Sequence, residues 1–263
     1  MGNSRYGKSW RPRPKCQWRL DMSVNLEWVA LACFRIWEND GPVIVTDPYE
    51  PWSLELTKEE DINIRLEGDI VTCSSLTDVA HSNYKLVDGS PEVINALDVS
   101  RSNESPLIYN EPLIAVEARE SDRHPDGPDA NALYSFKVGG LWFLHMGDVG
   151  FGLSNDRISL FKNRCDILLA LTGEALTLPL HELDPMIEYL DPTWIVPMHY
   201  NLAPVSGSGP GEMTKVEKFI ERRSNDPVIY AGTNTVSFPM TESQTSRPTI
   251  VILEPSGYIP TTK

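Results

Sequence analysis

Short apolar runs separated by turn residues are the feature that most limits what this chain can fold into. The runs are rich in β-branched and aromatic residues and are bounded by Gly, Pro, Asn and Asp, a pattern that predicts strands. The clearest runs are Leu26–Trp37, Pro42–Asp47, Asp69–Ser75, Glu92–Leu97, Ala132–Val138, Leu141–His145, Asp166–Leu171, Trp194–Met198, Pro227–Tyr230 and Thr249–Leu253. Amphipathic spacing predicts fewer helices, at Asn155–Asn163, Leu180–Leu190 and Glu212–Ser224. Many strands with a few late helices favour an α/β fold, in which a core of two sheets is flanked by helices.

Length and charge define the domain organisation. The 263 residues suffice for one large α/β domain, and we predict a single domain over residues 23–263. Residues 1–22 are predicted to form a basic N-terminal arm, because the first 20 residues carry six Lys and Arg side chains and no acid. The basic residues are Arg5, Lys8, Arg11, Arg13, Lys15 and Arg19.

Composition also limits the partners. The net charge of -14 disfavours nucleic acid, which is bound through clustered Lys and Arg. No run approaches the roughly 18 apolar residues of a membrane helix, so we expect no membrane partner. No C-x-x-C pair occurs, which predicts reduced thiols and a cytoplasmic protein without a cysteine-based metal site. The four cysteines are Cys16, Cys33, Cys73 and Cys165. A small-molecule substrate fits this composition best, and a homo-oligomer stays open.

Three of the five histidines follow strand-like runs, where side chains emerging from a sheet can converge on a cleft. Asp78 and His81 are three residues apart in the first such segment, a spacing from which both can reach one ion. In the second, a strand runs into His145 and a Gly turn presents Asp148; in the third, His199 ends a buried strand. Structural alternatives exist for each segment: a helix-capping Asp with a surface His, a turn Asp, and a buried core His.

Together these segments resemble the metallo-β-lactamase superfamily, in its ascorbate-6-phosphate-lactonase-like branch. The family's opening strand W-x-G-H-A-C-F and its V-T-D-P-F/Y motif correspond to Trp28–Phe34 and Val45–Tyr49. Its H-x-G-D-x-G and I-P-M-H-Y motifs correspond to His145–Gly150 and Val196–Tyr200. The resemblance covers most of the chain from Leu26 onward. It implies a four-layer αββα sandwich of two mixed sheets with outer helices, and metal-dependent hydrolysis.

The first metal-binding motif departs from the family. The family reads H-x-H-x-D-H where this chain reads Leu76-Thr-Asp-Val-Ala-His81, so only the last histidine is retained. A later family histidine corresponds to Glu120. The changed positions are Leu31, Leu76, Asp78, Ala80 and Glu120.

Two hypotheses follow from this departure. In the first, the metal site has been rebuilt. His81, Asp148 and His199 are retained as ligands, and Asp78 and Glu120 replace lost histidines around a divalent Zn, Mn or Fe ion. Asp78 and Asp148 would then be catalytic, while His145 and Tyr200 would contact substrate. In the second, the site has lost its metal and the fold serves as a non-catalytic scaffold or ligand-binding protein. We favour the first, because the substituted residues can still ligate a metal. The substrate would be a small ester, lactone or phosphodiester.

Overall fold

The computed structural model describes residues 23–50, 65–120, 130–174, 177–201, 213–240 and 246–256. The predicted basic arm over residues 1–22 and His124 lie outside the described residues, so the arm remains a prediction. No helix in the described segments is long and apolar enough to cross a membrane.

Within these ranges the chain forms seventeen strands and three α-helices. The strands are β1 (Val24–Ala30), β2 (Cys33–Glu38), β3 (Ile44–Thr46), β4 (Leu66–Glu67), β5 (Ile70–Cys73), β6 (Val87–Asp88), β7 (Glu92–Asn95), β8 (Leu107–Ile108), β9 (Glu111–Pro112), β10 (Ile114–Arg119), β11 (Ala130–Val138), β12 (Leu141–His145), β13 (Ile167–Leu171), β14 (Trp194–Met198), β15 (Val228–Tyr230), β16 (Thr235–Phe238) and β17 (Thr249–Ile252). The helices are α1 (Ala96–Arg101), α2 (Leu180–Leu190) and α3 (Val216–Arg222), with short 3-10 turns at Val79–His81, Tyr84–Leu86 and Ser159–Phe161.

Two large mixed sheets form the core, as the resemblance predicted. The first has the strand order β16-β1-β2-β3-β5-β7 and the second β10-β11-β12-β13-β14-β17-β15. One hydrophobic cluster contains inward side chains of both sheets, including Trp28 and Phe34 from the first and Phe143 and Leu168 from the second. Such a shared apolar layer is what holds two sheets face to face. The apolar faces of α2 and α3 pack onto the same cluster, which completes the helix-flanked arrangement.

Strand direction determines where a site can form. Strands β12, β13 and β14 run parallel, so their carboxyl ends lie at one edge of the second sheet. Strand β10 is antiparallel to β11, which is antiparallel to β12, so β10 ends at the same edge. In the first sheet, β3 and β5 are parallel and also end together. Carboxyl ends of parallel strands are where α/β folds place their ligands.

Three elements differ from the sequence predictions. The run Leu26–Trp37 forms two antiparallel strands, β1 and β2, with a turn at Leu31, where φ is 47°. The turn has no Gly, Pro or Asn, so the sequence carries no signal for it. The segment Asn155–Asn163 forms turns and a single 3-10 turn, not an α-helix. The run Glu92–Leu97 leaves the sheet after Asn95, and α1 begins at the next residue.

Candidate metal centre

Five side chains of the predicted site meet at the edge where the strands end. Asp78 and His81 follow β5, and Glu120, Asp148 and His199 follow β10, β12 and β14. Their ligand atoms form two groups, and within each group all atoms lie within 4.8 Å of one another. The first group is His81, Asp148 and His199, and the second is Asp78, Glu120 and Asp148.

The two groups share Asp148, whose carboxylate lies between the imidazoles and the other acids. Its Oδ2 is 3.5 Å from Nε2 of His81. The ring centroids of His81 and His199 are 5.1 Å apart. Two nitrogens and a carboxylate at this range form a set that suits Zn, Mn or Fe, whereas the second group offers oxygen alone.

Asp78 caps the turn that follows β5 and also lies in the cluster of possible ligands. Its Oδ1 accepts a hydrogen bond from the backbone N–H of Ala80 at 3.0 Å and caps the 3-10 turn Val79–His81. Its Oδ2 is buried and has no partner in hydrogen-bonding geometry. The cap therefore fixes the side chain and leaves one oxygen for the cluster.

Asp148 is placed by a glycine that no other residue could replace without strain. Gly147 has φ 61°, a backbone region that L-residues rarely adopt. A Cβ there would lie 2.3 Å from Oδ1 of Asn131 and 2.7 Å from the carbonyl oxygen of Ala132. The same Asn131 oxygen accepts the Asp148 backbone N–H at 3.1 Å. The close approach and this hydrogen bond together orient Asp148.

His199 lies in a strained backbone conformation, with φ 52°. Its N–H donates to the carbonyl oxygen of Leu31 at 3.2 Å, so the turn between β1 and β2 in the other sheet holds it. A Cβ on Gly173 would lie 2.0 Å from the His199 carbonyl oxygen, so only a glycine fits at position 173 without displacing the His199 backbone. Left-handed backbone at a non-glycine residue commonly marks functional sites, where the surrounding structure enforces it.

Burial and mutual charge shift the protonation of the cluster. Burial raises the pKa of Asp78, and the nearby Asp148 carboxylate adds to the rise. Burial lowers the pKa of His199. For His81, burial acts downward, but the carboxylates of Asp78, Asp148 and Asp47 prevail and raise its pKa. Burial thus disfavours charge on Asp78 and His199, whereas the neighbouring carboxylates favour a charged His81.

The buried atoms of the cluster fit a cation. Among the described residues, Oδ2 of Asp78, Nδ1 of His81, Oδ1 of Asp148 and Nδ1 of His199 are buried without a hydrogen-bond partner. Each such atom costs about 1–3 kcal/mol, so native proteins rarely leave several together. A metal ion would bind lone pairs on both nitrogen and oxygen, so the residues present fit the divalent metal that the sequence predicted.

A family comparison agrees with this geometry. The model of the β-lactamase superfamily domain matches residues 25–199, which include all five residues of the two groups. This chain belongs to the β-lactamase superfamily. It is 25% identical over 243 residues to a protein of Polaromonas sp. named a metal-dependent hydrolase, with 76% of this chain and 86% of that protein covered. Such relatives imply a divalent metal.

Solved structures support the same fold. A protein from Thermotoga maritima, described as a Zn-dependent hydrolase of the metallo-β-lactamase superfamily, aligns with TM-score 0.61 and 22% identity. The alignment covers 88% of this chain and 98% of that one. A metallo hydrolase from the archaeon Ignicoccus hospitalis aligns with TM-score 0.55 and 16% identity, over 83% and 100% of the two chains.

Asp47 is a buried residue close to the cluster that was not among the predicted site residues. Its Oδ1 accepts from the Ser74 N–H at 2.6 Å and from the Tyr134 hydroxyl at 3.3 Å, beneath the cluster. Burial raises the pKa of Asp47 to about 7, against the opposing charge of His81. The V-T-D-P-Y motif contains this aspartate, so the signal was present, but the motif served only to identify the fold.

His145 and Tyr200 do not fit the substrate-binding roles predicted for them. His145 is fully buried, and its Nε2 donates to the carbonyl oxygen of Ala32 at 2.8 Å. Its Nδ1 accepts from the Gly147 N–H at 2.9 Å. Burial lowers its pKa to about 3, so the ring is neutral and joins the two sheets. Tyr200 is 5% exposed, and its ring packs against Trp28 with centroids 5.1 Å apart. Both side chains pack in the core next to the strand ends that carry the cluster.

Proposed function

We propose that this protein is a metal-dependent hydrolase that acts on a small ester, lactone or phosphodiester at a rebuilt metal site. In this proposal His81, Asp148 and His199 hold one divalent ion, and Asp78 or Glu120 completes its shell. The observation that carries the proposal is the set of four buried nitrogen and oxygen atoms without hydrogen-bond partners, which come from four different side chains of the cluster.

The donor set limits the metal. Two imidazole nitrogens with one carboxylate favour Zn, Mn or Fe over Mg or Ca. The carboxylates of Asp78 and Glu120 stand where the lactonase-like branch has histidines, so the site offers more oxygen than the branch pattern. Oxygen-rich ligation favours a harder ion, and we therefore expect Mn or Fe to bind at least as well as Zn.

Each residue then has a part that follows from its position. A bound divalent ion lowers the pKa of a water ligand toward neutrality and offsets negative charge on a reacting oxygen. Asp148 contacts both groups, so it holds the ion against the imidazoles while facing the remaining acids. Asp78 has one oxygen fixed by the cap and one directed into the cluster, an arrangement that suits a base orienting water. Burial of Asp47 and His145 behind these side chains keeps the site rigid.

Elemental analysis of protein purified without added metal tests the proposal, with His199→Ala as the variant. We expect the unmodified protein to contain one divalent ion per chain and the variant to lose it. His181→Ala is the matched control, because the His181 side chain is 67% exposed on α2 and lies outside both groups.

Chelation provides the second measurement. A ligand that binds only the folded state stabilises it by about 4 kcal/mol at a thousand times its Kd, so a chelator should lower the melting temperature. It should also abolish any esterase or phosphodiesterase activity. If no metal co-purifies, none shifts the melting curve and His199→Ala melts like the unmodified protein, then the metal-free scaffold hypothesis is correct.

A further inference from the structure

A cavity of about 360 Å³ opens next to the candidate metal centre. A volume of this size suits a small organic molecule. The lining residues used below are Glu117, Arg119, Val149, Phe151, Leu153 and Arg157. None of them belongs to the two metal-binding groups.

The cavity and the metal centre are joined through the backbone. Arg119 directly precedes Glu120, and Val149 directly follows Asp148, so each wall of the cavity is one residue from a carboxylate of the centre. Consecutive Cα atoms are about 3.8 Å apart. The two walls are connected by a hydrogen bond from the Gly150 N–H to the Arg119 carbonyl oxygen at 2.9 Å. The cavity is therefore built on the two chain segments that carry Glu120 and Asp148.

The cavity carries positive charge in an acidic protein. The acid among its described lining residues, Glu117, is already paired, because Arg101 donates to both of its carboxylate oxygens at 3.1 and 2.6 Å. Arg157 donates from Nη2 to the Glu117 backbone oxygen, an uncharged acceptor, at 2.6 Å. Within the described residues, the Arg119 guanidinium makes no ion pair. Among the described lining residues, Arg119 and Arg157 therefore outnumber the one acid, which Arg101 already pairs, in a chain of net charge -14.

The cavity lining also includes apolar residues. Phe151 is 40% exposed, which is unusual for so large an apolar side chain, and Leu153 lies beside it. Val149 is fully buried and closes the side towards Asp148. Two arginines together with aromatic and aliphatic side chains suit a small organic anion. The guanidiniums would pair with the oxyanion, and the apolar side chains would contact the carbon skeleton.

We propose that this cavity binds the oxyanion and apolar part of the substrate, with Arg119 and Arg157 pairing a carboxylate or phosphate and Phe151 and Leu153 contacting the carbon skeleton. The substrate would be a small ester that carries its own negative charge beside an apolar group. The assignment of a substrate rests on the proposed hydrolase function, whereas binding of the anion does not. Charge on a metal ion would add to the two guanidiniums, so we expect tighter anion binding in the metal-loaded protein.

Calorimetric titration with phenylphosphonate and with benzoate tests the cavity, and benzyl alcohol serves as the uncharged comparison. The two acids separate a phosphate-like from a carboxylate ligand, and we expect phenylphosphonate to bind more tightly because its charge is greater. Arg119→Gln should weaken binding about tenfold, since one charge-assisted hydrogen bond is lost. Arg157→Gln should have a similar effect. Arg65→Gln is the control, because Arg65 is exposed outside the cavity and pairs only loosely with Asp88, at 3.8 Å.

The outcomes distinguish this proposal from the hydrolase proposal. Arg119 is exposed and forms no ion pair among the described residues, so we expect its variant to melt like the unmodified protein, and any lost affinity then reports on the ligand. Unchanged affinity in both arginine variants would overturn the cavity proposal, as would benzyl alcohol binding as tightly as the acids. Phenylphosphonate binding that disappears in His199→Ala but survives both arginine substitutions would place the anion on the metal instead. If His199→Ala keeps its metal while the arginine variants lose the anion, the metal assignment fails and the cavity stands.

Discussion

The substitution Gly173→Ala tests how the fold positions a metal ligand from outside the site. Gly173 follows β13 and packs directly against the backbone of His199. A Cβ at this position would lie 2.0 Å from the His199 carbonyl oxygen and 3.2 Å from Cα of Tyr200. Both contacts are with backbone atoms, so no side-chain rotation can relieve them.

The structure sets the size of the expected effect. Real Cβ atoms essentially never approach another heavy atom closer than 3.0 Å, so the two segments must separate by at least 1.0 Å, the difference between 3.0 and 2.0 Å. Metal–ligand distances tolerate only about 0.2 Å, and displacing a supporting group typically lowers metal affinity about 10–100-fold. Overpacking a buried site costs about 1–3 kcal/mol, which at about 2–4 °C per kcal/mol lowers the melting temperature by roughly 2–12 °C.

Metal titration and thermal melting, performed on the same preparations, measure both effects. Gly89→Ala is the control: Gly89 has φ 88°, and a Cβ there would meet no heavy atom within 4 Å, so the substitution strains the backbone without a clash. We expect the control to lose about 1–2 kcal/mol of stability but no metal affinity. Metal affinity that is equal in Gly173→Ala and the unmodified protein would refute the claim that this contact positions His199.

Three further predictions concern the surroundings of the site. Tyr134→Phe removes a hydroxyl that donates to buried Asp47, so urea unfolding should show a loss of about 1 kcal/mol; no change would mean that the 3.3 Å hydrogen bond contributes nothing. Arg223→Met leaves the buried Asp226 carboxylate with Arg247 as its remaining arginine partner and should destabilise by about 1.5–3 kcal/mol, the worth of a hydrogen bond to a charged group, with metal content unchanged. If Arg223→Met keeps the stability of the unmodified protein but loses metal, the prediction that this ion pair stabilises the fold without affecting the metal centre is wrong. In the native protein, a thiol reagent should react slowly with the three buried, unpaired cysteines Cys33, Cys73 and Cys165. Rapid reaction would contradict their burial.

Most of the sheet core could be predicted because its signals are local. Strands β12 and β14 match the predicted runs at both ends, since each is a continuous apolar segment closed by a polar residue. The turn at Leu31 could not be predicted, because one of the two donors that hold its backbone, the His199 N–H, is far away in the sequence and the turn contains no Gly, Pro or Asn. Trp28 Nε1 and the His199 N–H both donate to the Leu31 carbonyl oxygen, at 3.0 and 3.2 Å. Tertiary contacts of this kind leave no local pattern.

In the candidate site, too, some features could be predicted from local motifs and others depend on tertiary structure. The convergence of Asp78, His81, Asp148 and His199 followed from motif order, and the structure brings all four together. The roles of His145 and Tyr200 depended on which way each side chain points after its strand ends. A period of two residues determines that direction, but only once the strand boundary and its neighbours are known. The structure turns both side chains into the core.

The charge of the proposed metal centre bears on the ligand proposed for the arginine-lined cavity. Three carboxylates, Asp78, Glu120 and Asp148, carry -3 when ionised, so a divalent ion among them leaves a net charge of -1. A centre with this charge would repel an anionic substrate. Arg119 and Arg157, on the segments that carry Glu120 and Asp148, add two positive charges that would favour an anion. On this basis the arginines and the extra carboxylates depend on each other, and Arg119→Gln should impair turnover of an anionic substrate far more than of a neutral one. Equal impairment of both substrates would show that the arginine shapes the cavity and does not balance its charge.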